Sequence, residues 1–185
     1  MSASTRSRTV LAAAVLVAGL TACTAGDDDA GPESTPSSTP TGGPLVVGAT
    51  ELEPIVEVTF DVPRGEGDKV TIGLVSLVAS GQTTELRVLM TPDFTSAKED
   101  ISVYDMFGHD TFAELWDIEN LRSYDVISDT GIEFETDVVY AKTSNGKPIL
   151  YQAWYPFPEG RPETLDVSLH PSWPVIEDVP VTYED

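Results

Sequence analysis

Thr164-Leu165-Asp166-Val167-Ser168-Leu169-His170 alternates polar and apolar side chains without a break. A period of two is the pattern of a strand with one buried and one wet face. Leu86, Val88 and Met90 repeat it upstream. From Leu45 onward, short β-rich runs and turn signals follow one another at roughly eight- to twelve-residue spacing, which predicts a mainly β sandwich or barrel. The runs predict strands over 55–61, 69–79, 84–91, 101–106, 122–128, 136–142, 148–157 and 164–170, with 175–181 as an edge. Pro54, Pro174 and Pro180 fit edge positions, because proline cannot donate to a ladder.

Between two of these runs stands Ser144-Asn145-Gly146-Lys147. Asn-Gly supplies the two positive φ angles of a type I′ turn, so a hairpin is predicted over 136–157. The same residues spell Ser-x-x-Lys, a nucleophile motif that needs a helix to bring lysine to serine. A hairpin tip lacks that geometry. One helical turn is predicted at Thr111–Glu114, with Thr111 capping and Glu114 reaching back.

Tyr151-Gln152-Ala153-Trp154-Tyr155-Pro156-Phe157 carries aromatics on both parities. Trp154 is expected to anchor the core, leaving Tyr151 and Tyr155 as a candidate exposed binding strip. Trp173-Pro174 is expected to cover the open edge.

The formal net charge is −21. All but two of the basic residues and all but four of the acidic ones lie beyond Pro44, so the negative field belongs to the folded part. Such a field disfavours nucleic acid and anionic lipid or wall polymers. It could attract basic partners or cations, and it favours solubility.

Residues 1–22 read as a lipoprotein signal peptide. Arg6 and Arg8 precede the apolar run Val10–Leu20, which is too short to span a hydrocarbon core. Leu20-Thr21-Ala22-Cys23 is then a lipobox: Leu20 seats the peptidase, small Thr21 and Ala22 allow its approach, the Cys23 thiol takes diacylglycerol, and after cleavage the freed amino group of Cys23 takes a fatty acid. Cys23 is the single cysteine, so no internal disulfide is available. The expected location is the cell membrane, lipid-anchored, facing the outside of the cytoplasm. Residues 23–44 hold Pro32, Pro36, Pro40 and Pro44 among Gly, Ser, Thr and Asp. This composition has nothing large to bury, which predicts a disordered spacer of up to ~65 Å. Residues 45–185 are left as the one folded domain.

The search for chemistry is short. Cys23 is assigned to lipid, no Gly-x-Ser-x-Gly elbow or P-loop occurs, and the two histidines, His109 and His170, lack metal-site spacing. Neither enzymatic activity nor a cofactor beyond the Cys23 lipid is expected. Carboxylates are abundant, and the densest patch holds Asp105, Asp110 and Asp117 with Glu114, Glu119 and His109. The regular calcium-loop spacing is absent, and the patch is a candidate cation site only.

Four segments carry a resemblance: Val88-Leu89-Met90-Thr91-Pro92-Asp93-Phe94, Leu121-Arg122-Ser123-Tyr124, Trp154-Tyr155-Pro156-Phe157-Pro158 and Trp173 to Val181. Together they resemble the β-rich N-terminal half of certain actinobacterial cell-envelope lipoproteins, in which that half precedes an OmpA-like peptidoglycan-binding domain. The resemblance implies an immunoglobulin-like antiparallel sandwich of about eight strands with no catalytic residues to carry over. This sequence ends at Asp185 without the OmpA-like half, so wall binding is not carried over either. The expectation is an extracytoplasmic lipoprotein that binds or scaffolds an envelope protein. The alternatives are a carboxylate-dependent glycan hydrolase and a calcium-stabilised binding module.

Overall fold

The computed structural model describes residues 45–47, 50–96 and 99–185, with side chains from Leu52 onward. All of them lie in the second of two units into which the chain divides, Ser37–Asp185. Residues 1–44, read from the sequence as signal peptide, lipobox with Cys23 and linker, lie outside the described residues.

The described chain is mainly β. Its strands are β1 (Leu45–Val47), β2 (Thr50–Leu52), β3 (Val56–Asp61), β4 (Lys69–Ser80), β5 (Thr83–Asp93) and β6 (Ile101–Ser102). After the short helix α1 (Val103–Met106) come β7 (Glu114–Asp117), β8 (Arg122–Asp125), β9 (Ser128–Asp129), β10 (Ile132–Glu133) and β11 (Lys142–Thr143). The last four are β12 (Ile149–Pro156), β13 (Thr164–Ser168), β14 (Ile176–Pro180) and β15 (Thr182–Glu184).

Two main sheets enclose one core. The first runs β12-β5-β4, and the far edge of β4 is shared. Antiparallel β3 takes Lys69 to Leu74, parallel β15 takes Val78 to Ser80, and a register shift between Leu74 and Ser76 separates them. The second runs β14-β13-β7-β8. Ile72, Leu74, Leu86, Val88 and Met90 from the first sheet and Leu115, Leu165 and Val167 from the second belong to the same buried cluster. The alternation read at 164–169 therefore points where it should, with Leu165, Val167 and Leu169 inside. Pro180 falls in the edge strand β14, as its missing donor demands.

Several local expectations are corrected. Residues 101–106 are not one strand: Ser102 and Asp105 form a reciprocal capping box that starts α1, and Gly108 and His109, both at positive φ, end the turn that follows. The capping box expected at Thr111–Glu114 does not form. Glu114 opens β7 instead, where Leu115 faces the core between half-buried Glu114 and Trp116. Residues 137–142 form no strand beside β12: the chain before them meets β12 only at Phe134–Thr136, around an antiparallel bridge of Glu135 to Ala153. Residues 138–140 form a turn, and β11 pairs with β6, while β12 pairs with β5 along its whole length. At 144–147 only Gly146 has positive φ, so the turn is not type I′. The Asn145 side chain is engaged elsewhere: its Oδ1 accepts from Phe94 N at 2.7 Å and its Nδ2 donates to Phe94 O at 3.0 Å.

The aromatic strand is inverted relative to its expected parity. Register pairs Tyr151 with Val88, Ala153 with Leu86 and Tyr155 with Thr84, and all six are closed to solvent. Residues directly opposite each other share a face. Tyr151 and Tyr155 are thus core residues and not an exposed strip. Trp154 stands half-buried on the outer face, where its neighbour Gln152 donates to Glu85 at 2.6 Å. The core wedge is Trp173, which stacks on Phe60 of β3 at 4.9 Å and 6° and donates from Nε1 to Asp61 O at 2.8 Å. Expected as a cover for the open edge, Trp173 is instead buried in the core cluster.

Candidate functional site

The candidate cation patch is dispersed. Asp105 caps α1, Asp110 pairs with Arg64 at 3.0 Å, and Asp117 is buried, accepting three hydrogen bonds from Asn120. Among the described residues no group of three or more metal-ligating side chains is assembled. No described helix is long and apolar enough to cross a membrane.

Acidic side chains instead converge at two depressions of the second sheet. The larger, of about 420 Å³, lies where the end of β7 and its turn meet the approach to β13 and the β14 bulge. Trp116, Ile118, Pro162 and Leu165 supply its apolar surface. Asp117, Glu119, Glu163, Asp166, Glu177 and Asp178 supply carboxylates, and no basic residue lines it among the described residues. The shape follows from two local features. A register shift between Leu165 and Val167 places an extra residue in β14, and Asp178, at φ +56°, donates its N–H to Asp166 Oδ1 at 2.9 Å. Trp116 is held upright by its Nε1 bond to Glu114 Oε2 at 2.7 Å.

The smaller, of about 200 Å³, is bounded by Phe112, Val126, Glu114, Asp125, Glu133 and Glu135 among others. Here the segment after β10 lies along the free edge of β12, with Trp154 N donating to Phe134 O at 2.9 Å and Thr136 N to Gln152 O at 2.7 Å. That pairing turns Glu135 inward, where it accepts from the Tyr151 hydroxyl at 2.5 Å. Burial raises the Glu135 carboxyl above its ordinary value, the Tyr151 bond works against this, and the negative charge of Glu133 adds to it. The Tyr151 and Tyr155 hydroxyls are pushed upward, chiefly by burial, so both stay protonated.

Neither depression was identified from sequence. Trp116 carries the missed signal: Glu114-Leu115-Trp116-Asp117 can be read as a strand with an outward tryptophan, but the apparent cap at Thr111 competes with that reading. No family model, curated protein or solved structure matches the chain.

Proposed function

We propose that the protein is an extracytoplasmic lipoprotein, anchored through Cys23, whose β domain binds a basic segment of an envelope protein in the groove beside Trp116. The groove carries this reading: six carboxylates and an indole line one depression with no cation among them. Lysine or arginine side chains would find opposite charge there, and the indole face offers a cation–π contact of about 0.5–1 kcal/mol at such an exposed site. Net charge of −21 would speed encounter with a basic partner. The reading of Leu20–Cys23 as a lipobox and the resemblance to actinobacterial envelope lipoproteins support the proposed location. The glycan-hydrolase alternative gains nothing from Glu133 and Glu135. Glu135 is already engaged by the Tyr151 hydroxyl, whereas a glycosidase needs both carboxyls, about 5–9.5 Å apart, open to the sugar.

The test is titration with an oligolysine peptide at low and physiological salt, against wild type and a Glu119→Gln, Glu163→Gln, Glu177→Gln variant. All three residues are exposed and should be replaceable without unfolding. Salt-sensitive binding that the variant loses at least tenfold supports the groove. Equal binding by the variant, or none by wild type, refutes it.

A further inference from the structure

We infer that the corner 170–173 is an acid-sensitive latch: a second proton on His170 expels the Ser172 amide from Nδ1 and so frees the Trp173 wedge from the edge of the sandwich.

His170 is 5% exposed. Its Nδ1 accepts the Ser172 N–H at 3.0 Å, which places the single ring proton of the neutral form on Nε2. Nε2 is buried and has no hydrogen-bond partner among the described residues. The neutral ring therefore satisfies the turn with one nitrogen and leaves the other idle. Protonation must occur on Nδ1, the nitrogen already facing a donor, and two N–H groups cannot occupy that contact. The new charge would also sit in a nearly closed site with no acceptor at Nε2.

What the corner holds is specific. Trp173 N donates to His170 O at 3.0 Å, and the two rings lie 5.4 Å apart. The indole reaches from there onto Phe60 and Phe107 and bonds Asp61 O. Loss of the Ser172 bond loosens the turn that aims this ring. The charged groups facing His170 are Asp110 and Arg64, which pair with each other and act on the imidazole in opposite senses. Burial is the largest influence and lowers its affinity for protons. The sign follows: the unfolded chain takes up the proton first as pH falls below ~6.5, so stability is full above that value and is lost on acidification. The other histidine, His109, is exposed beside Asp105 and makes no comparable contact.

The experiment follows the full chain from pH 7.5 to 5 by thermal melting and by the NMR signals of the His170 ring, the Ser172 amide and the Trp173 indole N–H. His170→Asn retains an acceptor near the Nδ1 position and cannot be protonated. Wild type is expected to lose several degrees of melting temperature more than the variant over this range. The Ser172 and Trp173 signals should move with the His170 titration, at a midpoint below ~6.5. Parallel melting curves overturn the latch. If the variant does not fold, the wild-type spectra decide: a His170 titration that leaves Ser172 and Trp173 unmoved overturns the proposal, and joint movement sustains it.

Discussion

Tyr151 and Tyr155 stand four residues apart on the buried face of β12, both closed to solvent, yet their hydroxyls have opposite circumstances. That of Tyr151 donates to Glu135 at 2.5 Å, whereas that of Tyr155 has no partner among the described residues. The same change, tyrosine to phenylalanine, should therefore have opposite signs at the two sites. Tyr151→Phe removes a hydrogen bond to an ionisable carboxylate, a contribution of about 1.5–3 kcal/mol, and leaves Glu135 half-buried without its donor. Tyr155→Phe removes a buried hydroxyl whose unmet desolvation costs about 1–3 kcal/mol. Some of that gain is offset by the small void left behind, so a net stabilisation of about 1 kcal/mol is expected.

The two variants should differ by about 3 kcal/mol, the sum of these effects. Urea denaturation with a common slope measures it: at about 2 kcal/mol/M the midpoints would separate by roughly 1.5 M, on either side of wild type. A Tyr155→Phe variant destabilised as much as Tyr151→Phe would refute the reasoning, because its hydroxyl would then contribute a favourable bond. An unchanged slope is needed for the comparison, since a change would implicate the unfolded state.

Glu135→Gln keeps an acceptor for Tyr151 and removes the charge. Because the folded carboxyl binds its proton more tightly than an exposed one, wild-type stability falls as pH rises through the window above ~4.3. The melting-temperature difference should thus open in favour of the variant from about pH 4 to 7, and a flat difference would contradict the raised proton affinity. Gly108→Ala should destabilise by about 2–4 kcal/mol in denaturant melts, because φ is +68° and a Cβ would lie 2.4 Å from Pro63 O. Gly131→Ala, at φ +80° with nothing within 4 Å, should cost only about 1 kcal/mol.

The strands legible in the sequence are those whose burial is decided locally. At 164–169 each apolar residue has polar neighbours, so one phase of the alternation buries every large side chain and the other buries none. β4 and β5 differ from their predicted bounds mainly by extension at the ends. The failures share a different physics, in which a group with two uses is claimed by a distant partner. Asn145 could have adopted positive φ in a two-residue turn, but its amide bonds both backbone groups of Phe94, 51 residues away. Glu114 could have capped a helix but holds Trp116 in a strand.

The aromatic run makes the point most sharply, because both parities of 151–155 offer a face worth burying. Tyr151 and Tyr155 weigh against Trp154, and hydrophobicity alone leaves the choice almost level. The neighbour breaks the tie. Leu86 and Val88 are committed to the core by their own alternation with Glu85 and Arg87, which pair with each other on the outer face at 2.9 Å. Once β12 pairs antiparallel with β5 in register, Tyr151 must join Val88, and Trp154 must join Glu85. A one-residue slip would place Trp154 inside and expose both tyrosines. It would also strip Glu135 of the Tyr151 hydroxyl and leave Gln152 facing the core, away from Glu85. The register is thus held by polar contacts at the margins as much as by the apolar face, and these depend on partners that no reading confined to the run itself can see. The groove beside Trp116 is hidden for the same reason, since its walls come from 116–119, 162–166 and 177–178 and meet only after the second sheet has formed.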